Sequence, residues 1–536
     1  MNKKYILSLI FIWLVSFIGL SQNTYVPDDN FEQALIDLGY DSEPLDDYVP
    51  TANIVGVTNL DIQNLSISDL TGIEDFTALT NLNCDTNNLT SLDISQNINL
   101  TQLYCRYNSI TSLDVSNNTN LNILWVDENQ LTTLDVSKNI DLISLITNNN
   151  PLNTLDISKN IELNVFSCEG NQLNAIDVSK NIKLNYLNVN YNSLTTLNVS
   201  KNTELTSLAC GDNLITSLDL TKNQRLEYLF CARIPISSLD VTKNTNLQQL
   251  VSGDNQISSL DLSKNTKLKV LWCARNFLSE LDLSNNLLLE SFLCAHNNLR
   301  SLDLTKNKNL REFECDYNPI CYVNLKNGNN NSIINYSSIE TPNLSCIFVD
   351  NVVYSNSNWS RVDPVSNFVT SQSECDAYGN STPPVDTLND FIGTSYTLPI
   401  LSNGNYFTES GGNGTALYAG NVINISQTIY VFSDTGCYTN ETSFNVIITQ
   451  NDYYIPKFFT PNNDGSHDTW QVLDNSNAIN FIHIYDRYGK LLKSLLPNSD
   501  GWNGIFNGQL MESNDYWYAI TLNSGDIIKG HFTLKR

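Results

Sequence analysis

Between residues 58 and 325 the hydrophobic positions recur with a period that is neither that of a strand nor that of a helix. Leucine stands at 79, 100, 121, 142, 163, 184, 205, 226, 247, 268, 289 and 310, every 21 residues, with no insertion. The unit reads L-x-x-L-x-C/V-x-x-N-x-L-x-x-L-D-V/I/L-S/T-K-N-x-x, as in LTQLYCRYNSITSLDVSNNTN and LNYLNVNYNSLTTLNVSKNTE. A fixed period of this length predicts a solenoid with one coil per unit. One coil is too small to bury its own leucines, so it must stack on its neighbours. Stacking lines up one short strand per coil in a parallel sheet, neighbours about 4.8 Å apart. An imperfect unit, VTNLDIQNLSISDLTGIEDFTA, precedes the regular ones.

The polar positions repeat as strictly. An asparagine column runs Asn87, Asn108, Asn129, Asn150, Asn171, Asn192, Asn213, Asn255, Asn276, Asn297 and Asn318. A tight turn after each strand points backbone amides inward, and side-chain amides satisfy them. Ile234 interrupts the column, so a local defect is expected there. A second column, Asn97 to Asn307, is expected to do the same at the opposite turn. Cys84, Cys105, Cys168, Cys210, Cys231, Cys273, Cys294 and Cys315 share one inward slot with Val126, Thr147, Val189 and Ser252. Free replacement by valine and the lack of C-x-x-C spacing read as core packing rather than metal binding. An aspartate column from Asp93 to Asp303, trailed by lysines such as Lys138 and Lys264, reads as a solvated charge ladder rather than a cation stripe.

The repeat resembles the leucine-rich repeat, whose L-x-x-L-x-L-x-x-N-x-L core is matched almost throughout. The resemblance implies that residues flanking the strand leucine face a concave wall. Two flanking slots vary widely while the skeleton does not. One reads Tyr104, Trp125 and Ile146 early and Phe230, Val251, Trp272 and Leu293 late; the other includes Tyr107, Arg233 and Arg275. Large aromatics beside arginine, facing water, are what binding hot spots are made of. Tyr104, Tyr107, Trp125, Tyr228, Phe230, Arg233, Trp272 and Arg275 are therefore the candidate ligand contacts.

The ends complete the plan. Residues 1–21 (MNKKYILSLIFIWLVSFIGLS) resemble a signal peptide, with Lys3 and Lys4 before an apolar run. Residues 22–57 hold a capping helix with Phe31, Ala34, Leu35 and Leu38 at helical spacing, Asp28 or Asp29 as N-cap and Gly39 as stop. Residues 326–378 look like the C-terminal cap of secreted bacterial leucine-rich repeat proteins. The exported context points to a Cys346–Cys375 disulfide there, and the pairing of Cys321 and Cys437 stays open. A linker at 379–384 leads to short alternating strands at 385–449, read as an immunoglobulin-like sandwich.

Residues 450–536 carry FTPNNDG, IYDRYG, GWNG and GHFTLKR. These stand at the order and spacing of the gliding-motility-associated C-terminal domain, the type B sorting signal of type IX secretion. The resemblance implies a β-sandwich in which Asp464, Gly465, Asp486, Arg487, Gly501, Trp502 and Arg536 match the sorting motif. It implies export by that machinery to the surface of a Gram-negative bacterium, with attachment at the outer membrane, or release, rather than insertion into it.

The formal net charge of −27 disfavours nucleic acid as a partner. Loss of Lys3 and Lys4 with the signal peptide would make it −27 − 2 = −29. There are four histidines, His296, His467, His483 and His531. No nucleophile elbow, zincin or P-loop motif occurs. No cofactor or metal is implied. The reading is a non-enzymatic surface binding protein or adhesin recognising a protein or glycan. The alternative is an accessory or catalytic part of polysaccharide degradation.

Overall fold

The computed structural model describes residues 22–378, 383–434, 437–449, 453–463 and 465–536. The expected signal peptide and part of the linker lie outside these. The chain forms two compact units, Met1–Gly379 and Asn380–Arg536.

In the first unit a fifteen-stranded parallel sheet runs along the coils, starting at Asn59–Asp61. Each regular coil gives three residues to it, with the pattern x-Leu-x, or x-Phe-x at Phe166, Phe292 and Phe313: the central residue is buried and its neighbours face outward. Register is uniform, central residue against central residue, as in Leu103↔Leu124, Leu250↔Leu271 and Leu271↔Phe292. The sheet does not stop with the 21-residue period. After Glu312–Glu314 it continues through Asn335–Ser338 and Arg361–Val362. The register step from Phe313 to Tyr336 is 336 − 313 = 23 residues, which removes these coils from the periodic pattern. On the opposite side Ser301–Asp303, Tyr322–Asn324, Cys346–Phe348 and Asn367–Val369 form a second parallel sheet.

The asparagine column works as a bracket between coils. Asn276 Oδ1 accepts Ile257 N–H at 2.9 Å, and its Nδ2 donates to the carbonyls of Ser252 and Cys273 at 2.9 and 3.1 Å. At the interruption the bonding shifts. Asn255 Oδ1 takes the Ile234 amide, 2.8 Å, and Ile236 N–H turns to the Ile234 carbonyl. Ile234 itself is fully buried, so apolar packing replaces the amide. The second column does only half of what was expected. Asn139 Nδ2 donates to the carbonyls of Val115 and Asn118 at 2.9 and 2.8 Å, but its buried Oδ1 has no donor, and the same holds from Asn97 to Asn307. The turn there offers carbonyls inward and no amides.

The eight column cysteines are free thiols and buried. Burial pushes Cys210 and Cys273 up to about 12, so none is a thiolate at neutral pH. The aspartate column is exposed, its like charges are eased by the trailing lysines as expected, and the turn hydrogen bonds act more strongly than the lysines do. Each carboxylate closes its own turn: Asp261 Oδ1 accepts Ser263 N–H at 2.9 Å, and Asp240 Oδ1 accepts Thr242 N–H at 2.9 Å and its hydroxyl at 2.7 Å. These bonds hold the carboxyls below their ordinary range.

The entry helix is Asp29–Asp37, with Asp28 as N-cap. Asp28 Oδ1 accepts the amides of Asn30 and Phe31, while Oδ2 accepts Ser68 N–H, Ser68 Oγ–H and Asp69 N–H at 2.7–3.1 Å. One carboxylate thus starts the helix and ties it to the first coil. Gly39 takes φ 80° where the helix stops. At the other end Cys346 and Cys375 form a disulfide with Cα atoms 5.7 Å apart.

The second unit is all β. A five-stranded sheet orders Phe391–Gly393, Thr439–Ile448, Gln427–Asp434, Asn405–Glu409 and Asn413–Leu417, over a core that includes Tyr406, Ile429, Val431 and Phe444. A second five-stranded sheet orders Phe458–Phe459, Ile527–Leu534, Asn514–Leu522, Ile479–Tyr485 and Leu491–Leu495. Its core centres on Trp470, Trp502, Phe459 and Phe532.

Candidate functional site

The outward face of the long sheet is built from alternation alone. With the strand leucine and the cysteine slot buried, the residues before, between and after them must point away from the core. Tyr104, Trp125, Tyr228, Phe230 and Trp272 all lie on this inner face. Tyr107, Arg233 and Arg275 do not flank a strand leucine. They sit in the turn that follows, at the rim, in a column from Thr86 to Tyr317 where every residue has φ between 51° and 66°. The inward asparagine bracket forces that left-handed turn. Gly170 is the one glycine in this column. The other coils keep a side chain there, at about 1 kcal/mol or more of backbone strain each.

The rim arginines are paired one coil back. Arg233 contacts Asp212 and donates to Tyr191 Oη at 3.0 Å; Arg275 lies 3.6 Å from Asp254. The Asp212 contact holds the Arg233 guanidinium firmly charged.

The two aromatic clusters differ. In the early one, Arg106 closes over the Trp125 ring at 4.9 Å from its centroid, and Tyr104 meets the same ring edge-on at 5.0 Å. Arg106 is itself held by buried Asp85 through Nε and Nη2 at 2.8 and 2.6 Å. Trp125 Nε1–H donates to Ser144 Oγ at 2.9 Å. This cluster packs on itself. Beside it Asp127 has a buried Oδ1 with no donor, and burial pushes its carboxyl up to about 6.

The late cluster is open. Trp272 is 40% exposed and Tyr228 41%. Trp272 Nε1–H donates to Ser291 Oγ at 2.8 Å, the same tie to the next coil that Trp125 makes. The Phe230 ring lies over Gly211, where a Cβ would stand 2.4 Å from a ring carbon. Gly211, Ala232, Gly253, Ala274 and Ala295 occupy one slot of five consecutive coils. They keep the floor low beside the wall of Phe230, Val251, Trp272 and Leu293, with Gly253 and Ala274 partly open, Ala232 and Ala295 buried and Gly211 under the Phe230 ring. Where that slot carries Arg106, Glu169 or Asn190, the early half is filled instead. The small-residue slot and Arg106 escaped the reading of the sequence, although the change from charged or amide side chains to small ones after Asn190 is legible there.

The matched motif residues of the C-terminal segment hold structure. Asp486 Oδ1 accepts the amides of Tyr488 and Lys490, both at 2.9 Å, closing a hairpin. Arg487 Nη2 donates to Tyr488 Oη at 2.8 Å. Gly501 has φ 77°, and a Cβ on it would lie 2.6 Å from the Trp470 carbonyl oxygen. Trp502 is buried and its Nε1–H donates to the Ile505 carbonyl at 2.9 Å. Arg536 reaches the Met511 and Gly504 carbonyls at 3.0 and 3.1 Å. Gly465 N–H donates to Asp468 Oδ2 at 2.8 Å in a tight turn; Asp464 lies outside the described residues.

Residues 453–534 match the CHU_C type IX secretion signal domain. This signal domain directs the chain to secretion and cell-surface attachment. No helix among the described residues is long and apolar enough to cross a membrane. The repeat body is similar to Internalin J of Listeria monocytogenes serotype 4b (strain F2365), 42% identical over 77 residues, 14% of this chain. The chain spans 8% of that relative's length. Among solved structures, the functional domain of InlJ from Listeria monocytogenes, which includes a cysteine ladder, aligns with TM-score 0.58 at 27% identity. It covers 80% of this chain and 99% of that one. The internalin inlF of Listeria monocytogenes strain 4b F2365 aligns with TM-score 0.51 at 25% identity, over 55% and 91% of the two chains. The fold is thus that of an internalin-like leucine-rich repeat body followed by a β-rich sorting domain.

Proposed function

We propose that the protein is a non-enzymatic cell-surface binding protein, an adhesin, whose ligand lies on the inner face of the later coils. The observation that carries this is Trp272. Its ring is exposed, its N–H is fixed by Ser291, and it stands in a wall of apolar side chains that the solenoid does not need. Ala209 fills its slot three coils earlier. Similarity to internalins and the export signal favour a binding role. In this reading the repeat body binds, and residues 453–534 serve export alone.

The test is a screen of the purified chain against arrayed surface proteins and glycans, followed by Trp272→Ala on each hit. A saturable hit weakened about 30-fold, or about 2 kcal/mol, with an unchanged melting curve, is expected. Turnover of a polysaccharide, or hits indifferent to Trp272→Ala, would overturn the proposal.

A further inference from the structure

The inner face of the later coils changes character abruptly at its end, and that change names a ligand class. This inference rests on the reading of that face as the binding face. From Ser207 to Ala295 no outward strand position carries a charge, in a chain of formal net charge −27. The next strand, Glu312–Glu314, presents two carboxylates. Beside them is a cleft of about 280 Å³ lined by Leu293, Glu312, Glu314, Asn335, Ser337 and Arg361, among others.

The cleft is coupled to the trough. Ser291 Oγ, which accepts the Trp272 indole N–H, donates to Glu312 Oε2 at 2.6 Å. Glu314 stands in register between Leu293 and Ser337. Its carboxylate has no hydrogen-bond partner among the described residues. Among the described residues the one cation lining the cleft is Arg361, whose hydrogen bonds go elsewhere, with Nη2 on Asp316 Oδ2 at 3.2 Å and Nε on Ser337 Oγ at 3.0 Å. Burial and the nearby Asp316 and Glu312 push Glu314 up from its ordinary value and Arg361 offsets this only in part, leaving a cost that an incoming cation would reduce.

We propose that the trough takes an extended polypeptide segment, apolar side chains on the Gly/Ala floor, with a lysine or arginine entering the Glu312–Glu314 cleft. Five coils at about 4.8 Å span roughly 19 Å, or about six extended residues at 3.3 Å each. A glycan would need hydroxyl partners along its length, and the floor of glycine and alanine supplies few. A negative cleft at the end of a neutral trough selects the cation and sets the direction in which the segment lies.

The experiment is display of a random twelve-residue peptide library against the intact chain, with enriched peptides then synthesised and titrated. Enrichment of an apolar run followed by Lys or Arg is expected. Those peptides should bind Glu314→Gln and Glu312→Gln at least tenfold more weakly, and Glu314→Lys more weakly still, with wild-type circular dichroism melts. Replacing the basic residue by glutamine should cost the same factor on wild type and little on Glu314→Gln. Enriched peptides that need Trp272 but ignore both glutamates overturn this inference and leave the binding face standing. Peptides indifferent to Trp272→Ala overturn both. No enrichment, or displacement by a neutral glycan, overturns the polypeptide assignment.

Discussion

At the scale of single residues, two tryptophans in the same slot have different roles. Trp125 is clamped by Arg106 and Tyr104, whereas Trp272 carries no such cover. Trp125→Ala should therefore lower the melting temperature, by about 2 kcal/mol of stability for lost aromatic contacts, while Trp272→Ala should not. Asp127 gives a second residue-scale prediction. Its folded pKa of about 6 lies above the ordinary 3.8, so its charge opposes folding. The favourable neutral form is fully populated below about pH 4 and lost as pH rises through about 6. Asp127→Asn should raise stability at pH 7.5 by on the order of 1 kcal/mol after discounting for solvent screening, and change little at pH 4. A thermal melt series across pH checks this; a gain at pH 4 equal to that at pH 7.5 would refute it. The sequence showed which slots carry aromatics. It did not show which aromatic is covered, because that depends on Arg106 reaching the Trp125 ring of the next coil, a side-chain contact that the repeat pattern does not carry.

At the scale of the coil, the 21-residue period made the solenoid, the inward cysteines and the asparagine bracket legible. Each of those follows from one residue repeating in one environment. What escaped were features that depend on backbone direction. The turn column from Thr86 to Tyr317 is left-handed, so its residues form a rim and not a second strand flank. The aspartates were read by charge, whereas their turn geometry sets their role. The last coils lose the period, so the sequence does not show that Asn335–Ser338 and Arg361–Val362 extend the sheet into the segment that resembles a C-terminal cap. The bracket itself is testable. Asn276→Ala leaves the Ile257 amide and the Ser252 carbonyl without their partner, and should cost about 3 kcal/mol by equilibrium unfolding. A cost below 0.5 kcal/mol would mean that the ladder is decorative.

At the scale of the whole molecule, the chain joins a repeat body to an export signal whose matched residues hold its own fold. Gly501→Ala should place a methyl group against the Trp470 carbonyl. It should unfold the signal domain and stop surface display without touching the repeat body, as read by surface labelling against total protein. The central claim, that the inner face of the later coils is where the ligand lies, is tested most directly by placing one charge on that face and one on another face of the solenoid. Val251 lies on the inner face, and Ile161 is 52% exposed in a column that includes Ile140 and Ile182, outside the inner face. Affinity for one identified ligand would be measured on Val251→Glu and Ile161→Glu, both checked for native melting. A loss of tenfold or more with Val251→Glu and none with Ile161→Glu is the predicted result; the reverse would contradict it.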